Sequence, residues 1–288
     1  MPVRVKQLRL LHLFLILLLT VSCSTAQQSS DSLSISFTGK SLDISAETGN
    51  ARATTWHPEG ISIYLVGRDT QNVVRYDLTE PWDISTATFT QEFDLSGATS
   101  SSPALDVPHG LYIHDEGGLM WVFHRTEMWG YEMSEPWDIT TASMSSYADF
   151  SAFVQRGHDV DFNPDGTRLY IDDRNDRSVH EVSLSTPWDI RTFSHVYTLD
   201  ISDQEKEVRG SEFIHDGKTL LLLDTVRRAI LRYSLLEPYN LQTATYTGFY
   251  DLSDNTTSPR GLSVHPDERT VYITGRNNQR IYQYILLD

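Results

Sequence analysis

The side chains best suited to chemistry in this 288-residue chain are cationic, and they recur at matched positions. When five similar stretches are aligned on Trp56, Ile113, Phe162, Phe213 and Val264, the residue four places earlier is Arg52, His109, His158, Arg209 and Arg260. A second set, Arg68, Arg125, Arg174 and Arg276, falls at another repeat-equivalent position, with Thr225 in the fourth stretch. Arginine presents a planar, permanently charged fork that matches carboxylates and phosphates. Each charge-assisted hydrogen bond of that kind contributes about 1.5–3 kcal/mol. Together these residues are candidates for an Arg/His-lined channel mouth that binds an anionic small molecule, an acidic glycan or a partner. Like charges about 7 Å apart at an effective dielectric near 20 repel by roughly 2 kcal/mol per pair. Such a set therefore needs neutralising partners. These are either carboxylates of the chain, with Asp69, Asp173, Asp224 and Glu207 close in sequence, or a ligand.

A second chemistry would use carboxylates. Asp159, Glu207 and Glu212 are the candidates for the acid and the base or nucleophile of a hydrolase or lyase, glycosidase- or lactonase-like, at the same mouth. His109, His124 and His158, with Asp159, are of the types that hold Zn or Fe, but no fixed local spacing supports a metal site. The alternative is hydrogen-bonded histidines, so neither metal nor cofactor is expected. Gly210-Ser211-Glu212 lacks the second glycine of a nucleophile elbow, and no glycine-rich phosphate loop occurs. The symmetry of the repeats breaks at His109, His158, Asp159 and Thr225, with His124 beside Arg125, and function in a repeat protein concentrates where symmetry breaks.

The elements that must position these residues follow from the repeat itself. Asp-(Leu/Ile/Phe)-Ser occurs at Asp43, Asp94, Asp149, Asp200 and Asp251, with spacings of 51, 55, 51 and 51 residues. Pro-Trp-Asp-Ile begins at Pro81, Pro136 and Pro187, and a degenerate copy, Pro-Tyr-Asn-Leu, begins at Pro238. Each unit contains a short strand, a hairpin turn such as Pro164-Asp165-Gly166, an apolar strand, an alternating third strand and, after the Pro-Trp-Asp linker, a fourth. No amphipathic helix competes with this reading. Four strands in about 50 residues is the size of a propeller blade, and radial repetition protects sheet edges. The first Asp-Ile-Ser ends a lone fourth strand, residues 35–44, whereas the chain finishes just after a third strand. The sequence thus predicts an all-β, five-bladed β-propeller of four-stranded antiparallel blades over residues 34–288, closed by an N-terminal strand. Trp82, Trp137 and Trp188 recur with the linker and read as packing anchors.

The motifs Pro81 to Ala87 (Pro-Trp-Asp-Ile-Ser-Thr-Ala) and Pro164 to Tyr170 (Pro-Asp-Gly-Thr-x-Leu-Tyr) resemble those of a family of bacterial and phage-associated propeller repeats. The resemblance covers residues 34–288 and implies the architecture. It implies no single activity, because propellers carry binding modules, lactonases, glycosidases and lyases alike. The chain is also similar to WD-repeat and lactonase-type propellers, but its Trp-Asp lies in the linker, and Tyr76-Asp77 fills the place of the usual dipeptide.

The first residues carry Arg4, Lys6 and Arg9, then an apolar run from Leu10 to Val21 that falls short of the roughly 20 residues of a spanning helix. This reads as an export signal. Cys23, the sole cysteine, ends Thr20-Val21-Ser22-Cys23, which resembles a bacterial lipobox except for Thr20 in place of leucine. Residues 1–23 are read as a signal peptide with Cys23 lipidated, and 24–33 as a polar linker. Ordinary cleavage after Ala26 is the alternative. The expected location is the cell envelope, with contact to the membrane through the lipid anchor only, or outside the cell. Residues 24–288 carry 20 Lys+Arg against 39 Asp+Glu, a net of −19, which argues against nucleic acid as a partner. Seventeen of those 20 basic residues are arginine, a skew that suits positioned guanidinium contacts.

Overall fold

The computed structural model describes residues 32–96, 107–253, 256 and 258–287. The signal, Cys23 and residues 24–31 of the linker lie outside the described residues.

The strands form five sheets, one for each repeat. Blade one comprises β3 (Ala51–Trp56), β4 (Ser62–Gly67), β5 (Asn72–Leu78) and β6 (Ala87–Asp94). Blade two comprises β7 (Gly110–Ile113), β8 (Leu119–His124), β9 (Glu127–Met133) and β10 (Ala142–Asp149). Blade three runs through β11 (Gly157–Phe162), β12 (Arg168–Asp173), β13 (Ser178–Leu184) and β14 (Phe193–Asp200). Blade four is built from β15 (Val208–Ile214), β16 (Thr219–Asp224), β17 (Ala229–Leu235) and β18 (Ala244–Asp251). Blade five takes β19 (Pro259–Val264), β20 (Thr270–Gly275) and β21 (Arg280–Leu286) from the end of the chain and β2 (Ile35–Asp43) from its beginning. β2 pairs antiparallel with β21, from Ile35 opposite Leu286 to Asp43 opposite Arg280, so the expected closure is present.

The buried apolar side chains fall into five clusters, and each spans a pair of neighbouring blades. Tyr64 and Val66 meet Val122 and Trp129; Phe123 and Trp121 meet Ile171 and Val182; Tyr170 and Val179 meet Leu220 and Leu231. Leu221 and Ile230 meet Ile273 and Tyr284, and Tyr272 and Ile281 meet Ile63 and Val74. The last cluster joins blade five to blade one, so the ring is sealed by hydrophobic burial as well as by the β2–β21 ladder.

One strand was not expected. β1 (Ser32–Leu33), inside the stretch read as a linker, pairs in parallel with the outer edge of blade four, Ser32 opposite Phe249 and Leu33 opposite Tyr250. Leu33 packs against the core between blades four and five, and this apolar contact holds the segment at a sheet edge.

The Pro-Trp-Asp linker folds as a single 3₁₀ turn in four blades: Ile84–Thr86, Ile139–Thr141, Ile190–Thr192 and Leu241–Thr243. Asp83, Asp138, Asp189 and Asn240 cap these turns by accepting a hydrogen bond from the backbone N–H two residues on. The preceding aromatic residue, Trp82, Trp137, Trp188 or Tyr239, has φ between 59° and 67°. Its ring then lies over the hairpin glycine of its own blade. A Cβ on Gly117, itself at φ +72°, would sit 2.3 Å from the Trp137 ring. The same ring packs on the preceding blade, where Tyr64 donates a hydrogen bond to the Trp137 carbonyl at 3.0 Å. The tryptophans therefore rivet adjacent blades.

Candidate functional site

The innermost strands β3, β7, β11, β15 and β19 stand beside one another around the axis. In four of them the ladder to the second strand is interrupted at the repeat-equivalent cation: between Ala51 and Thr54, Gly157 and Asp159, Val208 and Ser211, and Pro259 and Gly261. Arg52, His158, Arg209 and Arg260 thus sit in β-bulges, which release a side chain from the regular alternation and re-aim it. In blade two His109 directly precedes β7, and its N–H donates to the Phe123 carbonyl. Small residues follow at most of these positions because neighbouring backbones come close: a Cβ on Gly261 would meet the Arg52 carbonyl oxygen at 2.3 Å.

The five side chains form one buried layer, each less than a tenth exposed. The His109 and His158 rings lie edge to face with centroids 4.2 Å apart, and Arg209 Nη1 is 3.3 Å from His158 Nε2. Burial first, then His109 and the neighbouring arginines, press His158 well below the usual histidine range, and burial followed by Arg52 and Arg209 lowers His109. Both imidazoles are neutral at pH 7. Among the described residues, Glu207 is the carboxylate that pairs with the arginines of the layer. Its Oε2 accepts from Arg209 Nη2 at 2.9 Å and lies 3.8 Å from Arg260 Nη1, while its Oε1 pairs with Arg174. Burial pushes Glu207 up, but the hydrogen bonds and charges of Arg209 and Arg174 outweigh it, and its carboxyl is lowered overall. Arg260 Nη1 also donates to Thr225 Oγ1 at 3.0 Å, and that hydroxyl donates to the Pro259 carbonyl.

One carboxylate does not neutralise the layer. Nε and Nη1 of Arg52, Nε of Arg260 and both ring nitrogens of His109 are buried without a hydrogen-bond partner. Burial, then repulsion from Arg209, Arg260, Arg68 and Arg276, presses Arg52 down to about 8; burial and neighbouring arginines take Arg260 to about 9 and Arg209 to about 10. A guanidinium keeps its proton in proteins, so the penalty is one that an anion relieves. Of the second set, Arg174 joins the layer through Glu207, Arg68 pairs with Asp69 at 2.8 Å, and Arg125 and Arg276 are exposed. His124 lies 3.6 Å from Glu127 and packs on Trp129. Among the described residues no three His, Cys, Asp or Glu side chains converge as a metal-ligand set.

The carboxylates divide differently from expectation. Glu207 belongs to the arginine layer, whereas Asp159 and Glu212 line a cavity of about 330 Å³ along the axis, whose walls include the second halves of all five inner strands. Among the described residues, none of the five cations of the layer and no other lysine, arginine or histidine lines this cavity. Asp161, which the sequence reading passed over, lines it too. Burial drives Asp161 up to about 7, against hydrogen bonds from the Phe162 and Phe213 N–H groups. Glu212 is raised well above its ordinary range by burial, then by Asp161 and Asp159. Glu212 is half-buried and lines the cavity. Asp159 is raised by burial and by Asp172, which itself rises to about 8 on burial. The signal for Asp161 was its acidic type in an inner strand where other blades carry Thr55, Tyr112 and Ser263.

No protein-family model matches this chain, and no curated protein matches it. Among solved structures it is similar to a functionally unknown protein from Desulfotomaculum acetoxidans, at 12% identity over 79% of this chain and 63% of that one, with a TM-score of 0.46. A periplasmic gluconolactonase from Pseudomonas aeruginosa gives 12% identity over 81% and 65%, with a TM-score of 0.49. The chain spans less than two thirds of the length of these proteins.

Proposed function

We propose that this protein binds an anionic small molecule at the layer formed by Arg52, His109, His158, Arg209 and Arg260, with Arg174 and the rim arginines Arg68, Arg125 and Arg276 drawing the ligand in. It does so as an exported protein anchored through Cys23, a reading supported by the basic, apolar and lipobox-like segments of residues 1–23. The observation that carries the binding reading is Arg52: a buried guanidinium whose Nε and Nη1 are unpaired, surrounded by other arginines and, among the described residues, without a carboxylate partner. In a chain of net charge −16 such a local positive region focuses anions.

The test is a thermal-shift and calorimetric panel of carboxylates, phosphate and acidic sugars on the full chain and on Arg52→Met. A ligand that raises the midpoint of the native chain, and does so far less in the variant, supports the reading. If no anion raises the midpoint and Arg52→Met melts higher, the layer is an internal lock and the reading fails.

A second reading, a hydrolase or lyase, is favoured by one observation: Asp159, Asp161 and Glu212 share a cavity with raised affinities for protons, which suits acid–base work near neutral pH. It would place turnover in that cavity and not at the arginine layer. Asp159→Asn and Glu212→Gln would then cost turnover orders of magnitude and leave anion binding in place.

A further inference from the structure

The division of Glu207 between two groups of cations says more about the ligand. Its Oε2 faces inward to Arg209 and Arg260, and its Oε1 faces outward to Arg174. Arg174 and Glu207 also line a surface groove of about 340 Å³ whose other walls are Gln155, Asn175, Arg177 and Lys206. Arg156, next to Gln155, adds to the positive charge felt there: its guanidinium is lowered by burial and then by Arg174, and its Nε is buried without a partner. The inner layer thus presents Arg52, Arg209 and Arg260, and the groove is lined by Arg174, Arg177 and Lys206 with Arg156 beside them. Glu207 serves both, and at the groove Asp176 adds a second carboxylate, which accepts from the Gln155 amide at 3.2 Å.

We infer that the ligand of this site carries two acidic groups, carboxylate or phosphate, set apart by several bonds: one enters the Arg52/Arg209/Arg260 layer and the other lies in the Arg174/Arg177/Lys206 groove. The inference rests on the anion-binding reading above and deepens it. A ligand with one acidic group neutralises the inner layer and leaves the groove with a surplus of charge. A ligand with two meets both surpluses and can take over the bridging position that Glu207 holds. The groove also supplies the Asn175 amide and the second N–H of the Gln155 amide, whose first donates to Asp176, for oxygens of the connecting chain.

The experiment compares matched ligands by calorimetry on the full chain: hexanoate with adipate for the carboxylate arm, and a sugar monophosphate with the corresponding bisphosphate for the phosphate arm. The expected result is that in at least one arm the two-charge ligand binds about tenfold tighter or more than its one-charge partner. In Arg177→Ser/Lys206→Ser, changed at two exposed residues so that folding is retained, that ratio is expected to fall to about one. Equal affinities for one- and two-charge ligands would overturn the inference and leave the anion-binding reading standing. A ratio that survives the double substitution would also overturn it. Failure of every anion to bind would remove both.

Discussion

Asp161→Asn tests whether the carboxyl-lined cavity holds neutral acids. In the folded protein Asp161 is raised from 3.8 to about 7, chiefly by burial. A carboxyl raised on folding binds its proton more tightly in the folded state, so stability falls as pH rises from the unfolded value towards the folded one. At about 1.36 kcal/mol per pH unit, a rise of about three units corresponds to a loss of up to about 4 kcal/mol between pH 4 and pH 7–8. Asparagine keeps an oxygen for the Phe162 N–H, which Asp161 accepts at 2.8 Å, and replaces the titrating proton with a permanent donor that can face Glu212. The variant is expected to match the native chain near pH 4, to exceed it by up to about 4 kcal/mol at pH 8, and to show a flatter pH profile. Urea unfolding at both pH values measures this: at about 2 kcal/mol per M, the midpoint at pH 8 moves up by about 1 M or more. A variant that is less stable than the native chain at pH 8, or that keeps the native pH profile, would refute the reasoning. It would mean that the backbone N–H groups hold Asp161 as an anion and that burial is not the dominant influence.

Glu207→Gln removes the one carboxylate shared by Arg174, Arg209 and Arg260; the fold is expected to weaken by about 3 kcal/mol while affinity for small anions rises, seen in melts and calorimetry at low salt. Trp137→Ala empties the contact between blades one and two and is expected to cost about 3–5 kcal/mol. Gly117→Ala, at φ +72° and facing the same ring, is expected to cost more than the roughly 1 kcal/mol typical of a φ > 0 glycine, measured by denaturant unfolding. A chain that begins at residue 44 lacks β2, which leaves β21 as an open edge and Tyr282 and Tyr284 without Phe37; it is expected to aggregate on size-exclusion chromatography and to regain a monomer peak when a peptide of residues 32–43 is added.

The blades, their number and the closure of the ring were legible in the sequence because each depends on local, repeated patterning: strand alternation, hairpin glycines and a marker spaced at 51 or 55 residues. The same register aligns Arg52, His109, His158, Arg209 and Arg260. Tertiary structure decided how the charges are apportioned. Asp159 directly follows His158 and Glu207 lies two residues before Arg209, yet Asp159 faces the acidic cavity and Glu207 the arginine layer. Alternation puts His158 and Asp159 on opposite sides and Glu207 and Arg209 on one side, but which space each side meets depends on how the inner strands assemble and on the bulge at the cation, which re-aims that side chain. The parallel pairing of β1 with β18 was hidden for a related reason. Two residues carry no periodicity, and only the blade edge that Leu33 meets in space makes them a strand. Local pattern determined what each blade is. The distribution of charge between the two ends of the axis came from how five blades, each slightly different, meet around it.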